Sequence, residues 1–213
     1  MGQQKNGILG GVTGKVGTIT GSTWNKKHYI RANSGKRRKN SFSEEQLAQQ
    51  AKFAVMAKFL GNLTEISMVS FRSADGDMTG ANSALSYNIR TAIGGNYPNF
   101  HINYPDVLIS YGKLVNGKDM LATAEAGGMI KFKWTDNSGI GRSAATDVCT
   151  VVIYNPEEDI CISTLAGAER SVETFQIDAS YLSGKDVETW IGFISADRKR
   201  IAKSVYTGKL RVL

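Results

Sequence analysis

The chain has 213 residues, of which 41% are hydrophobic and 21% are charged, which is the composition of a folded protein and not of a disordered one. Two cysteines are too few for a disulfide framework, and no apolar stretch reaches the roughly 18 residues of a membrane-spanning helix. The net charge of +7 is unevenly distributed, because residues 1–40 contain nine basic residues and no acidic one, whereas the rest has 17 basic and 19 acidic residues.

Residues 1–41 form a glycine-rich, basic arm. Six glycines lie between residues 7 and 21, and each costs about 1 kcal/mol relative to alanine in a helix, so a helix is not expected. We predict instead a strand pair, residues 16–24 with residues 28–31, that turns at residues 25–27. With few large side chains to bury, the arm should be ordered only against its own body or a neighbouring subunit. The residues expected to act as an arm clamp are Gly10, Gly11, Gly14, Lys15, Gly17 and Trp24.

A helical region is predicted over residues 42–104. Ser43 and Gln46 have the spacing of a capping box, and Gly61 is expected to end the first helix. A second helix follows directly, and a third is predicted over residues 82–93. The apolar face of the first helix is predicted to contain Leu47, Ala51, Phe53, Ala54, Val55, Met56 and Leu60.

From about residue 105 the hydrophobic period changes from 3.6 residues to 2, which indicates strands. Ile130, Phe132 and Trp134 share one face of the clearest strand, residues 130–134, and a lysine occupies each position between them. The other predicted strands are residues 107–111, 148–154, 160–164, 172–178, 187–194 and 201–212. Seven short strands, with a tryptophan on the second, predict an immunoglobulin-like or fibronectin-III-like β-sandwich over residues 105–213, and the fold class is therefore α+β.

Two glycine motifs resemble phosphate-binding loops, and neither fits. Around Gly14, a phosphate loop would need a glycine where Leu9 stands and a hydroxyl where Val16 stands. The glycine motif at residues 139–144 lies between two predicted strands, whereas the motif of dinucleotide-binding folds must open a helix. We therefore predict no nucleotide site at either motif.

The cysteines and histidines also lack a catalytic or metal-binding pattern. Cys149 and Cys161 lie inside apolar runs, which is typical of small buried residues and not of nucleophiles. His28 and His101 are far from each other and from both cysteines in the sequence, so no ligand spacing is present. We expect no enzyme activity, no cofactor and no metal.

The concentration of positive charge in the arm leaves three interpretations open. It suits weak, non-specific contact with nucleic acid, an acidic groove on a protein partner, or a solvated linker. The residues expected to make a partner or nucleic-acid contact are Lys26, Lys27, Arg31, Lys36, Arg37, Arg38 and Lys39.

Several short motifs occur together along nearly the whole chain. They are the glycine motif of residues 7–17 and residues 46–53, 86–88, 97–100, 134–139, 154–157 and 193–197. In these motifs the sequence resembles an uncharacterised family of proteins from Bacteroidota genomes and from phages of those bacteria. The resemblance implies no activity and no catalytic residue, since none is defined for the family. Its phage association implies a component of a virion.

From these observations and this resemblance we expect a non-enzymatic structural protein of a tailed phage, a subunit of a neck, connector or tail ring. It would be found in the virion and, during assembly, in the host cytoplasm. Its partners would be further copies of itself, in a ring whose neighbours are clamped by the arm, and other virion proteins, with non-specific DNA contact and no membrane. Two alternatives remain: a nucleic-acid-binding protein that uses the basic arm, and an adhesion or carbohydrate-binding sandwich module.

Overall fold

The structure is a computed structural model that describes residues 3–4, 10–24, 26–33, 42–71 and 78–213. The chain forms two compact units, residues 1–44 and residues 45–213. The domain boundary predicted between residues 104 and 105 therefore lies inside the second unit. The helical region and the sandwich are not separate domains, because they share a hydrophobic core that is described below.

The first unit contains an antiparallel sheet, which we call the arm sheet. Its strands are β1 (Gln3–Gln4), β2 (Val12–Val16), β3 (Ile19–Trp24) and β4 (Lys27–Ala32), paired in that order. The predicted hairpin is present as β3 and β4, with Trp24 opposite Lys27. Val16, however, belongs to β2, because a further turn at Gly17, whose φ is +57°, separates it from β3.

Three helices follow at the predicted places. They are α1 (Glu44–Gly61), α2 (Thr64–Ser70) and α3 (Gly80–Thr91). Thr79 caps α3, since its hydroxyl accepts a hydrogen bond from the backbone N–H of Asn82 at 3.3 Å. The predicted apolar face of α1 is only partly correct: Met56 is buried, as are Phe59 and Leu60, but Phe53 remains 53% exposed. Leu47 is also exposed, so the helix is buried mainly near its C-terminal end.

The sandwich prediction is confirmed by seven strands in two antiparallel sheets. After a small hairpin, β5 (Ile93–Asn96) and β6 (Asn99–Ile102), the strands are β7 (Lys118–Glu125), β8 (Met129–Thr135), β9 (Val148–Asn155), β10 (Ile160–Thr164), β11 (Thr174–Asp178), β12 (Asp186–Ile194) and β13 (Val205–Arg211). One sheet has the order β10-β9-β12-β13 and the other β11-β8-β7. The two sheets enclose one hydrophobic core, as two packed layers must.

The four-stranded sheet is covered on both faces. Along β9, Val151 and Ile153 point into the sandwich core, whereas Val152 between them packs in a second core with the helices. Trp190 of β12, fully buried, lies opposite Val152 and contacts the ring of Phe59 from α1 at a centroid distance of 6.1 Å. The second unit is therefore three layers deep, with helices, the four-stranded sheet and the three-stranded sheet in succession.

The strand predicted at residues 107–111 is wrong, although residues 107–110 are buried. The backbone groups of Leu108 and Ile109 bond to side chains, and residues 107–110 belong to no strand ladder. Asn88 accepts from the N–H of Leu108 at 2.9 Å and donates to its carbonyl at 3.0 Å. The hydroxyl of Ser204 accepts from the N–H of Ile109 at 2.9 Å. The seventh strand is instead β7, in which small residues such as Ala122 weaken the hydrophobic pattern.

One end of the sandwich contains a buried ion pair. The guanidinium of Arg170 and the carboxylate of Asp147, whose side chains are 0% and 1% exposed, are 3.1 Å apart. Arg170 also donates to the side-chain oxygen of Asn137 at 2.7 Å and to the carbonyl of Val115 at 2.9 Å. Its guanidinium carbon lies 4.2 Å from the ring centroid of Phe193. These bonds fix the loops between strands to the end of the core.

Trp134 is 4% exposed and lies in the sandwich core with Ile130 and Phe132, as predicted. Its indole N–H donates to the carbonyl of Arg170 at 2.7 Å. We predict that Trp134→Ala lowers the free energy of unfolding by about 3 to 5 kcal/mol, because it removes a large buried side chain and leaves a cavity. Urea unfolding measures this, with Lys133→Ala, at an exposed position of the same strand, as the control. A change below about 1 kcal/mol for Trp134→Ala would contradict the prediction.

The ion pair gives a second prediction. Arg170→Met should destabilise the protein by about 3 to 5 kcal/mol, because it leaves the buried carboxylate of Asp147 without its cation. The double variant with Asp147→Leu should recover most of this loss, since two apolar side chains replace both charges. Urea unfolding of the two single variants and the double variant tests the coupling. Equal losses in the single and double variants would show that the charge pairing is not the cause.

Candidate functional site

The two cysteines are unsuited to nucleophilic chemistry. Cys149 is fully buried in the sandwich core, and Cys161 is half-buried beside the second core, so the prediction that both are buried is confirmed fully only for Cys149. Burial raises the pKa of each thiol to about 12. At neutral pH both are therefore protonated, and a thiolate is the form that attacks substrates or binds metals.

Among the described residues, no group of three or more histidine, cysteine, aspartate or glutamate side chains could hold a metal ion. In the same part of the chain, none of the helices has the length and apolar character needed to cross a membrane.

An open groove of about 780 Å³ lies beside α3 and the beginning of β13. Its polar groups are largely engaged in holding the fold. Tyr206 donates its hydroxyl proton to the carboxylate of Glu188, and burial together with that carboxylate raises the pKa of Tyr206 well above its usual range. The side-chain amide of Asn116 donates to the carbonyl of Lys203 at 2.7 Å. The groove is lined by Tyr87, Thr91, Pro105, Asp106, Val107, Leu108, Asn116, Lys203, Ser204, Val205 and Tyr206.

The arm sheet is the more distinctive surface, because its strand register sorts its side chains into two unlike faces. Side chains directly opposite each other on antiparallel strands lie on the same face, and successive residues of a strand alternate between faces. The pairings among β2, β3 and β4 run without a bulge, so each residue can be assigned to a face.

One face of the arm sheet, which we call the apolar face, carries aliphatic side chains. Ile19 lies opposite both Val16 of β2 and Ala32 of β4, and Ile30 lies opposite Gly21 in the next row. Ile30 is 63% exposed and Val16 is 48% exposed. In this face of the described sheet, large aliphatic side chains are therefore in contact with solvent.

The other face, which we call the cationic face, begins with a row of basic side chains. Thr20 lies opposite both Lys15 of β2 and Arg31 of β4. The two basic residues are exposed and stand on either side of a small hydroxyl side chain. This row concentrates two positive charges within the width of three strands.

Aromatic side chains continue the cationic face towards the hairpin turn. Tyr29 lies between Lys27 and Arg31 along the same face of β4, and Trp24 lies directly opposite Lys27. Trp24 is 52% exposed and Tyr29 is 47% exposed. Cations and exposed rings therefore alternate on one side of the arm sheet.

Glycine allows close approach within this sheet. A Cβ atom on Gly21 would lie 2.0 Å from the carbonyl oxygen of Val12, so a larger residue at position 21 would clash with the backbone of β2. A Cβ atom on Gly11 would lie 2.1 Å from the Nδ1 atom of the His28 ring. That Nδ1 atom is 2.9 Å from the hydroxyl of Thr23, so His28 is held against the backbone beside β3.

The structure brings together some of the site residues predicted from the sequence and separates others. Lys15, Trp24, Lys27 and Arg31 share the cationic face, although Lys15 and Trp24 were assigned to the clamp and the other two to partner contact. The other predicted residues are not on this face as a group. Lys26 and Gly17 are at turns, Gly10 and Gly11 precede β2, and Gly14 is in β2. Four predicted residues lie outside the described part of the chain: Lys36, Arg37, Arg38 and Lys39.

The sequence alone did not predict the position of Tyr29 on the cationic face or the existence of the apolar face. The signal was present in residues 27–32, where a basic, aromatic and basic set alternates with histidine, isoleucine and alanine. Reading that alternation as two faces requires the register of the hairpin, which in turn requires the position of its turn.

The sequence matches a protein family over residues 11–208, described as a family of unknown function (DUF6266). No curated protein matches it. Among solved structures, the fn3 domain of the human collagen alpha-1(XX) chain is similar at 14% sequence identity and a TM-score of 0.32, over 49% of this chain and 90% of that one. The sandwich is established by the strand order of the two sheets and does not depend on this likeness.

The thiol pKa values give a prediction for chemical reactivity. With a pKa of about 12, about one thiol in ten thousand is ionised at pH 8, so Cys149 and Cys161 should react with an aromatic disulfide reagent far more slowly than free cysteine does. Raising the pH should increase the rate, because the thiolate fraction rises. The same protein unfolded in urea is the control, and both thiols should then react at once. Rapid stoichiometric labelling of the folded protein at pH 8 would contradict the prediction.

Proposed function

We propose that this chain, which belongs to DUF6266, a family of unknown function, is a non-enzymatic structural subunit. It assembles with further copies of itself through the arm sheet. The observation that carries this proposal is the exposed apolar face of the arm sheet. A sheet is stable in water when at least one face is buried. The proposal therefore places a surface of a neighbouring copy against that face.

Covering the apolar face would contribute favourable free energy to assembly. Burying an aliphatic side chain fully is worth about 1.5 to 3 kcal/mol, and Ile30 and Val16 each expose about half of their surface or more. Ile19 and Ala32 in the adjoining row extend the contact. The neighbour's surface and the arm sheet would thus be stabilised together.

We place the contact on the face of the arm sheet and not on its edge strand β4. The edge strand β4 pairs with β3 among the described residues, and it carries Lys27 and Arg31. Charged side chains on an edge strand disfavour the addition of another strand. The opposite face of β4 carries His28, Ile30 and Ala32, and none of these is a lysine or an arginine.

The setting we propose is the virion of a tailed phage infecting Bacteroidota, as a ring in its neck, connector or tail. The support for this setting is the family resemblance in the glycine motif of residues 7–17 and the motifs of the second unit. A head-to-tail contact between identical subunits closes into a ring when its rotation divides a full circle. Unlike the contact itself, this setting rests on the resemblance alone.

The assembly proposal predicts that the full-length protein forms oligomers that depend on the apolar face. Val16→Thr combined with Ile30→Thr keeps β-branched residues in both strands and removes apolar surface, so it should raise the dissociation constant at least about tenfold. Sedimentation velocity and light scattering measure the oligomer, and electron microscopy determines whether it is a closed ring.

Tyr29→Thr is the matched control, because Tyr29 adjoins Ile30 in β4 but lies on the cationic face. This variant should assemble as the unaltered protein does. Urea unfolding should show the second unit equally stable in all variants, since its two cores lie within residues 45–213. A monomeric unaltered protein at tens of micromolar, or normal assembly of the double variant, would refute the proposal.

A further inference from the structure

We infer that the cationic face of the arm sheet binds single-stranded nucleic acid, with Trp24 and Tyr29 stacking on bases and Lys15, Lys27 and Arg31 contacting phosphates. This goes beyond the assembly role, because it uses the opposite face of the same sheet. The register of β2, β3 and β4 places the residues of the two proposals on opposite faces of the sheet.

The aromatic side chains are the first observation. Trp24 and Tyr29 are about half exposed, on one face and in neighbouring positions of two paired strands. In a soluble protein, large aromatic side chains are usually at least partly buried, because they have a large apolar area that is unfavourable in water. Stacking on a base removes that area and tolerates any base, because every base has a π-face.

The charges are the second observation. Lys27 and Arg31 flank Tyr29 along β4 at spacings of two residues, or about 7 Å each, and Lys15 extends the row across the sheet. Residues 1–40 contain no acidic side chain that would neutralise them. A polyanion with planar groups is the partner that matches alternating cations and rings.

The exposed rings favour a single strand over a duplex. Exposed rings on a sheet can stack on bases that are already unstacked, as in the sheet surfaces that bind single-stranded RNA. In a duplex the bases are stacked on each other, so their faces are covered and cannot stack on a side chain. A duplex would therefore contact the lysines and arginine of this face but not its rings.

The test measures binding of the full-length protein to a fluorescent oligothymidylate of about 20 nucleotides, by anisotropy at several salt concentrations. Trp24→Ser and Tyr29→Thr should each weaken binding by about 5- to 100-fold without changing its salt dependence. Lys27→Gln should weaken binding and make the slope of log affinity against log salt shallower by about 0.7, the value for one phosphate contact on a single strand.

Two controls separate this face from charge alone. Replacing Lys36, Arg37, Arg38 and Lys39 by glutamine removes four charges elsewhere in the arm, and Trp24→Ser should still weaken binding in that background. A duplex of the same length and poly-glutamate of matched charge should bind more weakly than the oligothymidylate, and neither should respond to Trp24→Ser. Equal binding of poly-glutamate would indicate an acidic protein partner and overturn the inference.

The outcome is independent of the assembly proposal. Val16→Thr with Ile30→Thr alters the apolar face alone, so its affinity for the oligothymidylate per subunit should stay within a few-fold, whatever its oligomeric state. Conversely, Tyr29→Thr should lose affinity while assembling normally. Binding that is unaffected by Trp24→Ser and Tyr29→Thr, or that is no stronger for the single strand than for the duplex, would overturn the inference.

Discussion

The pairing of β9 with β12 is the constraint on which the second unit depends. Both strands are buried on both faces, so one pair of strands serves two cores. Ile191 lies opposite Val151 on the side of the three-stranded sheet, and Trp190 lies opposite Val152 on the side of the helices. A defect in either strand would therefore loosen the sandwich and the helical layer together, which is why residues 45–213 behave as one unit.

The helices are tied to this sheet by polar contacts as well as by packing. Asp159, in the turn after β9, accepts hydrogen bonds from the hydroxyl of Tyr154 and the amide of Asn62, each at 2.8 Å. Burial acts to raise the pKa of Asp159, but the bonds from Tyr154, Lys58 and Asn62 outweigh it and hold that pKa below its usual value. The ionised carboxylate thus joins the end of α1 to the sheet, and this contribution is lost as the pH falls through its lowered pKa.

Where hydrophobic residues recurred with a clear period, the sequence predicted the secondary structure. The alternation of Ile130, Phe132 and Trp134 with lysines identified β8 and its buried face. In a strand with one solvent-exposed face, apolar and polar residues alternate. The run of residues 149–154, apolar at nearly every position, indicated a strand covered on both faces and could have placed the helices above it. The segment of residues 107–110 has a similar composition, but its backbone partners are the side chains of Asn88 and Ser204, which no local pattern reveals.

The arm illustrates a different limit. Its hairpin was predictable, but the two faces were not: the predicted turn at residues 25–27 included Lys27, which lies in β4 opposite Trp24, and Val16 was placed in the wrong strand. A shift of one residue exchanges the two faces of a strand. Without the correct register, Lys15 had no defined neighbour, and Tyr29 could not be grouped with Trp24.

The small share of buried side chains in the arm sheet has an evolutionary consequence. In β3 and β4, Gly21 is the one buried residue among those described, so the side chains that define the two faces belong to neither hydrophobic core. Selection can therefore exchange those side chains one at a time without crossing the stability threshold that limits change in a core. Substitutions in β3 and β4 would then be limited by what the arm binds, whereas substitutions in the two cores are limited by packing.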